Sequence, residues 1–132
     1  MAKIIQLSEA ASLAIHAMVL IGKSKGLINV NTISERTGAS RNHLAKVMQP
    51  LVKDGYVSST RGPSGGFILK MKPSEITLLD IYQSIEGHIS IEGCPLDRPV
   101  CPFKKCLMGG VIKKLSLEFK NYLKDQKLSD YL

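Results

Sequence analysis

The sequence predicts a mainly α-helical fold with one small β-hairpin, and two observations support this. Apolar residues recur every three or four positions in several segments, a spacing that places them on one face of a helix. Two short runs of strand-forming residues flank the segment RGPSGG, whose proline and glycines are typical of a hairpin tip. No apolar run reaches the roughly 18 residues that cross a membrane. With 132 residues, the chain can bury a core as one domain with at most a small appendage.

The first predicted helix covers Leu7 to Gly22, a stretch rich in alanine and leucine with one apolar stripe. Ser8 or Ser12 can cap its start, because a serine oxygen accepts a hydrogen bond from a free amide of the first turn. Gly22 can end it. We expect His16, near the middle, to be a partly buried residue of this helix.

The next segment, VNTISERTGASRNHLAKVMQPLVKDG, predicts two helices joined by a tight turn. Asn31 or Thr32 can cap a short helix that Gly38 ends, and Ser40 can cap the second helix. Pro50 cannot donate a backbone hydrogen bond, so we expect a kink or a break just before it. Two helices joined by a turn that contains glycine form a helix-turn-helix.

A β-hairpin and a further helix follow at once. Strand-forming residues lie at 56–60 and 67–69, on either side of RGPSGG, so the hairpin would come directly after the helix-turn-helix. This order of elements is that of a winged helix, in which the hairpin is the wing. Thr77 can then cap a helix that ends at Gly87.

The last helix is predicted to begin near Leu107, with Gly109 and Gly110 weakening its first turn. Its apolar residues need a surface to cover them. They could pack on the same domain, but we favour a symmetric contact with a second copy, because two-fold dimers are the commonest oligomers. The expected organisation is a winged helix-turn-helix domain at 1–87, a cysteine-rich loop at 88–106, and a dimerisation helix with its tail at 107–132.

The positive charge of the chain is segregated. The formal net charge is +7. Between residues 36 and 72 seven basic residues stand against one acid, and between 104 and 127 seven lysines stand against two acids. Such segregation indicates a polyanionic partner, although solvated surface lysines would give the same composition.

The winged-helix prediction places polar residues where DNA would be read. The second helix of a helix-turn-helix enters the major groove with its N-terminal residues, where Arg41 can pair with guanine or a phosphate and Asn42 with adenine. In the wing, Arg61 precedes the glycine-rich tip, and a narrow minor groove attracts an inserted arginine. The alternative is a polar helix face without a partner. The residues expected to contact DNA are Ser40, Arg41, Asn42, His43, Lys46, Arg61, Ser64 and Gly65.

All three cysteines lie in one proline-rich stretch, CPLDRPVCPFKKC, at Cys94, Cys101 and Cys106. The spacing C-x6-C-x4-C lacks the tight pair that is usual in zinc sites. Iron–sulfur clusters accept looser spacing because their ligands bind different irons, and Lys104 and Lys105 would offset the negative charge of a cluster. From the residues alone, a cluster, a zinc site, a thiol sensor and no special role are all open.

No arrangement typical of catalysis stands out. The sequence has no phosphate-binding loop, no paired carboxylates and no Ser/His/Asp or Cys/His set on converging elements, and its three histidines are scattered. We therefore predict that the protein is not an enzyme. An electron-transfer role would leave the helix-turn-helix and wing unexplained. The odd number of cysteines and the lack of a secretory pattern favour a cytoplasmic protein without membrane contact.

In the order of its elements the chain resembles the IscR/NsrR family of winged-helix transcriptional regulators over essentially its whole length. The resemblance is carried by SRNHLAKVMQPLVKDGYVSSTRGPSGGF, by EITLLDIYQSIEG and by the three spaced cysteines that follow. It implies a homodimer built through the long C-terminal helix, with double-stranded operator DNA as the partner. It also implies an iron–sulfur cluster bound by Cys94, Cys101 and Cys106, whose state switches operator binding.

The fourth cluster ligand is where the chain departs from the family. IscR-like members complete a [2Fe-2S] site with a histidine three residues after the last cysteine, and Gly109 stands there in this chain. NsrR-like members complete a [4Fe-4S] site with an acidic residue in the first helix of the partner subunit. The aligned position here is Ser12, with Glu9 one turn earlier and His16 one turn later. The IscR-like glutamate that reads DNA aligns with Ala45, and SRNH resembles NsrR more closely, which favours [4Fe-4S] over [2Fe-2S]. Other candidates for the fourth ligand are His88, Glu92, Asp97, water or a small thiol.

We therefore predict a DNA-binding transcriptional regulator that acts as a repressor. An iron–sulfur cluster that senses nitric oxide, redox state or iron–sulfur status would switch the affinity for the operator. The alternative is a winged-helix repressor without a cluster, which responds through thiols, zinc or a small effector.

Overall fold

The computed structural model describes residues 7–91 and 101–132. Within these ranges the chain forms five α-helices, two 3-10 helices and one antiparallel hairpin, which agrees with the predicted mainly helical fold. The helices are α1 Glu9–Lys23, α2 Val30–Thr37, α3 Arg41–Lys53, α4 Leu78–Glu86 and α5 Val111–Asp125. The strands are β1 Val57–Thr60 and β2 Gly66–Leu69, and the 3-10 helices are Pro73–Glu75 and Leu128–Tyr131.

Side-chain caps set the starts of the first four helices. Ser8 caps α1, Ser40 caps α3 and Thr77 caps α4, as predicted, each by accepting a hydrogen bond from an amide of the first turn. The cap of α2 is Asn29 rather than Asn31 or Thr32, and its Oδ1 accepts from the Thr32 amide at 2.8 Å. The helix therefore begins two residues before the expected position.

Three helix boundaries differ from the predictions. Helix α1 runs through Gly22 to Lys23, where Ser24 follows as its C-cap. Helix α3 passes through Pro50 to Lys53 without a break, because proline removes only one hydrogen bond near the helix end and the buried apolar face holds the last turn in place. Helix α5 begins at Val111, since Gly109 and Gly110 adopt left-handed conformations.

The wing is tied to the helical part of the domain by a short third segment. The register of the hairpin pairs Val57 with Leu69 and Thr60 with Gly66. Ile28 bridges to Phe67 through two backbone hydrogen bonds of 3.0 and 2.8 Å. A Cβ atom at Gly66 would collide with the Ile28 carbonyl, so this close approach of two backbones requires glycine.

The tail of the chain completes the core instead of extending away from it. Leu123 and Leu128 are buried in the same cluster as the apolar faces of α1, α3 and α4. The Leu128 amide donates to the Ile76 carbonyl at 2.8 Å, and the Leu78 amide donates to the Gln126 carbonyl at 2.9 Å. These backbone contacts hold the tail beside the start of α4.

The structure also bears on the membrane prediction. None of the helices in the described ranges is both long enough and apolar enough to span a bilayer.

Candidate DNA-binding surface and cysteine segment

The start of α3 presents polar side chains outward while its other face is buried. The Ser40 hydroxyl accepts a hydrogen bond from the His43 amide at 3.1 Å. Arg41, Asn42 and Lys46 are exposed, and His43 is half-buried. The buried face of the helix consists of Leu44, Val47, Met48 and Leu51. The periodicity of the sequence therefore predicts which side of this helix is free to meet a partner.

The wing lies beside the C-terminal half of α3. A cleft of about 610 Å³ separates the two elements, and it is lined by Ala45 and Gln49 from the helix and by Arg61 and Gly65 from the wing. Arg61 and Ser64 are exposed. The structure thus brings Arg61 close to the second half of the helix, while Arg41 and Asn42 lie at its first turn.

Sequence reasoning missed two residues on this surface. Gln49 is exposed and lines the cleft. Its spacing of seven residues from Asn42 places both on one helix face, a signal that could have identified it. Asn31 is the second, because its Oδ1 accepts a hydrogen bond from Arg41 Nη1 at 3.2 Å. That contact joins α2 to α3 and leaves no trace in the periodicity of either helix.

The one acidic residue between positions 36 and 72, Asp54, contacts α4. Asp54 accepts a hydrogen bond from the Ser84 hydroxyl of α4 at 2.6 Å. Burial raises the pKa of Tyr56, and the carboxylates of Asp80 and Asp54 raise that pKa further. Asp54 is thus engaged at the end of α3 opposite to Arg41, and the first turn of α3 contains no acid.

A second groove lies on the other side of the start of α3. It has a volume of about 1020 Å³, and α1 lines it with Glu9, Ser12 and His16. Its opposite wall is formed by the turn between α2 and α3 and includes Ser40 and His43. The three candidates for a fourth cluster ligand on α1 therefore share a groove with the start of α3.

His16 is exposed, which corrects the expectation of a partly buried helix residue. Its spacing from Glu9 and Ser12 places it on the outward face of α1. The ring Nδ1 lies 2.7 Å from the Ser12 carbonyl, which can only accept, so this nitrogen carries the proton in the neutral ring. The Nε2 lone pair is then available to a ligand.

The two cysteines within the described ranges precede α5 as free thiols, with Cys101 half-buried and Cys106 exposed. Cys94 lies outside the described residues, as do Glu92 and Asp97. Gly109 occupies a left-handed turn with φ of 62°. Its amide donates to the Cys106 carbonyl at 3.1 Å.

No three His, Cys, Asp or Glu side chains converge on a metal position within residues 7–91 and 101–132. His88 is exposed at the end of α4. Cys101 and Cys106 are the two described residues with the thiol chemistry that a cluster requires. These two thiols can supply two ligands of a cluster, and the remaining ligands would have to come from other residues.

Helix α5 is anchored at one end and bare at the other. Leu123 is buried, and the Phe119 ring meets the Tyr82 ring of α4 edge-on, with centroids 5.8 Å apart. Val111 and Leu115, in the N-terminal half, are 43% and 36% exposed. A large part of the apolar surface of this helix is therefore uncovered in a single chain.

Comparison with known proteins gives consistent matches over nearly the whole chain. The model of the Rrf2 family, described as an iron-dependent transcriptional regulator, matches residues 7–132. The HTH-type transcriptional regulator IscR of Photorhabdus laumondii is 28% identical over 127 residues, which are 95% of this chain and 77% of the relative. The HTH-type transcriptional regulator NsrR of Bacillus subtilis is 32% identical over 106 residues, which are 75% of this chain and 73% of the relative.

Solved structures show the same architecture. The structure of CymR, the global cysteine regulator of B. subtilis, aligns with a TM-score of 0.79 and 26% identity, covering 96% of this chain and 95% of that one. The structure of IscR from T. potens aligns with a TM-score of 0.75 and 26% identity, covering 96% of this chain and 85% of that one. The predicted winged-helix fold and the predicted resemblance are confirmed by these matches.

Proposed function

Because this chain belongs to the Rrf2 family of transcriptional regulators, we propose that it is a repressor whose affinity for operator DNA is set by an iron–sulfur cluster. The observation that carries the proposal is the placement of the cysteine segment. Cys101 and Cys106 lie directly before the bare half of α5, in a chain whose other half presents a winged helix. The proposed cluster-binding cysteines and the proposed DNA-contacting helix would then lie in different parts of the chain.

Operator DNA would be bound by α3 and the wing together. The exposed side chains of Arg41, Asn42 and Lys46 suit the major groove. Arg61 would enter the adjacent minor groove from the wing. Ser40, His43, Ser64 and Gly65 complete the proposed contact set.

A second copy of the chain would cover the exposed apolar side of α5. Exposed Val111, Leu115 and Tyr122 lie on one side of this helix, at spacings of four and seven residues that suit helix–helix packing. A two-fold dimer formed there would carry two winged domains. Its geometry would then have to match half-sites that are about 34–36 Å apart on DNA.

Cys94, Cys101 and Cys106 would hold the cluster, and a fourth ligand is required from elsewhere. When bound, a cluster supplies a link between thiolates that nitric oxide or oxygen can break. We propose His16 of the second copy as the fourth ligand. Its Nδ1 proton is engaged by the Ser12 carbonyl, an arrangement that holds a ligating imidazole in place. The neutral hydroxyl of Ser12 is a poorer ligand for iron than an imidazole. Gly109 has no side chain and so cannot supply a side-chain ligand.

The groove beside α1 gives this arrangement a way to affect DNA reading. His16 lines one wall, and Ser40 and His43 line the other. An occupant large enough to span the groove would therefore contact both α1 and the first turn of the helix that would read DNA. We propose this groove as a route by which a ligand at His16 could affect the first turn of α3.

The test is to purify the protein without oxygen and measure iron, acid-labile sulfide and the visible absorption spectrum. We expect a brown protein with iron and sulfide, and a colourless Cys101→Ala variant. Ser90→Ala, which removes a small polar group just before the cysteine segment, is the matched control and should stay brown. A colourless wild type with one zinc ion per chain would contradict the cluster and support a zinc site.

A cluster-free thiol sensor is the second candidate function. It is favoured by the exposure of the free Cys106 thiol and by the likeness to the structure of a cysteine regulator. The same samples separate the two functions. A thiol sensor would contain neither iron nor sulfide. Hydrogen peroxide would oxidise its exposed Cys106 thiol to a sulfenic acid with release of water, which adds one oxygen atom detectable by mass spectrometry, and operator affinity would change.

A further inference from the structure

We propose that Asn31 is a specificity-determining positioning residue that holds the Arg41 side chain in the orientation in which it reads a base. The inference rests on the proposed DNA-reading role of α3. The observation that carries it is the hydrogen bond from Arg41 Nη1 to Asn31 Oδ1, 3.2 Å long, between two exposed side chains of different helices.

The positions of the two residues make this contact geometrically specific. Asn31 is the second residue of α2, after the Asn29 cap, and Arg41 is the first residue of α3. The two helix starts are held by their own side-chain caps, through Asn29 and Ser40. Both partners therefore lie in first turns whose amides are capped in the protein without DNA.

Asn31 also lies on the surface that would face DNA. It lines the cleft between α3 and the wing, together with Gln49 and Arg61. Its Oδ1 accepts from Arg41, while its amide NH₂ makes no hydrogen bond within residues 7–91 and 101–132. Asn31 is thus adjacent to the proposed interface without being part of the reading helix.

The physical effect is to orient a flexible side chain in advance. A guanidinium has five N–H donors, so one bond to Asn31 leaves donors free for the two acceptors on the edge of guanine. An unrestrained arginine loses rotamer freedom when it binds a base. A partner that already restrains it reduces that loss and penalises bases that require another orientation.

The contact should contribute to base preference and little to folding. Both side chains are exposed, and hydrogen bonds between exposed side chains add little to stability because water replaces them. This property allows the proposed role to be separated from a structural one.

The experiment is selection of bound sequences from a randomised double-stranded DNA library by the anaerobically purified full-length protein. Wild type is compared with Asn31→Ala, Asn31→Asp, Arg41→Ala and the Asn31→Ala/Arg41→Ala double variant. We expect Asn31→Ala to relax preference at the same base pair as Arg41→Ala, by about three- to tenfold, with an unchanged unfolding midpoint. The double variant should show no further loss at that position.

Asn31→Asp is the variant that isolates the acceptor. It keeps an oxygen for Arg41, so base preference should be retained, while its charge lowers affinity for all DNA. An Asn31→Ala profile equal to wild type, or one relaxed at a different base pair, overturns the inference while leaving the DNA-binding function intact. A wild type that enriches no sequence overturns the DNA-reading role and the inference with it.

Discussion

Gly66 is the residue at which the wing meets the helical part of the domain. A side chain there would meet the Ile28 carbonyl, and the bridge between Ile28 and Phe67 would have to separate. The position of the wing beside α3 depends on that bridge. One glycine therefore affects both the stability of the domain and the surface that would contact DNA.

We predict that Gly66→Ala destabilises the fold by about 3 kcal/mol or more. The new methyl group would push the backbone at residue 66 away from the backbone at Ile28. Gly26→Ala is the matched control, since a Cβ at Gly26 meets no atom within 4 Å. Denaturant unfolding of both variants provides the measurement. Equal stability of Gly66→Ala and wild type would show that the two backbones are not in close contact.

His16 is the second residue whose local geometry has a chemical consequence. Since its Nδ1 is engaged by the Ser12 carbonyl, the Nε2 atom is the one presented to a ligand. We predict that His16→Ala loses cluster on brief exposure to air at least about tenfold faster than wild type, because a missing ligand opens a site on iron. The decay of visible absorption measures this rate, and Glu9→Ala and Ser12→Ala serve as controls. If either control decays as fast as His16→Ala, or faster, another ligand is in place.

At the scale of elements, the wing and α5 are the two that extend beyond the packed helices. The wing carries its exposed arginine on a tip shaped by Gly62, Gly65 and Gly66. Helix α5 is held at one end by the Phe119–Tyr82 ring contact. The wing exposes positive charge and α5 exposes apolar side chains. Each of these surfaces suits a binding partner.

For the wing, we predict that Arg61→Ala weakens operator binding by about 1–3 kcal/mol, the range expected for an arginine that contacts a base edge. Titrations at several fixed salt concentrations measure the change. Lys70→Ala is the control, because it removes an equal charge from an exposed residue just beyond β2. Equal effects of the two changes would show that Arg61 acts only through its charge.

For α5, we predict that Leu115→Lys yields a monomer, because a charge in the middle of the proposed contact cannot be desolvated. Leu117→Lys is the matched control. Leu117 is 46% exposed, and two residues along a helix place it on the side away from Leu115. Light scattering gives the mass of each variant. A monomeric wild type, or a dimeric Leu115→Lys, would contradict the proposed contact.

At the scale of the whole molecule, α4 connects α5 with α3. It receives the Phe119 ring on Tyr82, and its Ser84 hydroxyl donates to Asp54 at the end of α3. The side chain of Ser8 in turn donates to Glu86, which joins the start of α1 to the end of α4. Direct contacts therefore run from α5 through α4 to the end of α3, and we propose them as the route by which a change in the position of α5 would reach the helix that would contact DNA.

Much of this organisation could be predicted from sequence because it is encoded locally. The apolar spacing within α3, the serine and threonine caps and the glycine-rich hairpin tip each depend on residues close together in the chain. The bridge from Ile28 to Phe67, the burial of Leu128 and the contact from Asn31 to Arg41 join distant segments. No local pattern indicates those, so they required the folded structure. Pro50 shows the same limit, since tertiary packing overrides its local preference.

The central claim is that the state of the cluster sets operator affinity, and a single titration tests it most directly. Nitric oxide is added without oxygen to the brown protein bound to fluorescent operator DNA, while absorption and anisotropy are recorded together. We predict that both signals change in proportion, with a shift in affinity of about 100-fold, equivalent to about 2.8 kcal/mol of coupling. Loss of the cluster absorption with no change in operator affinity would contradict it.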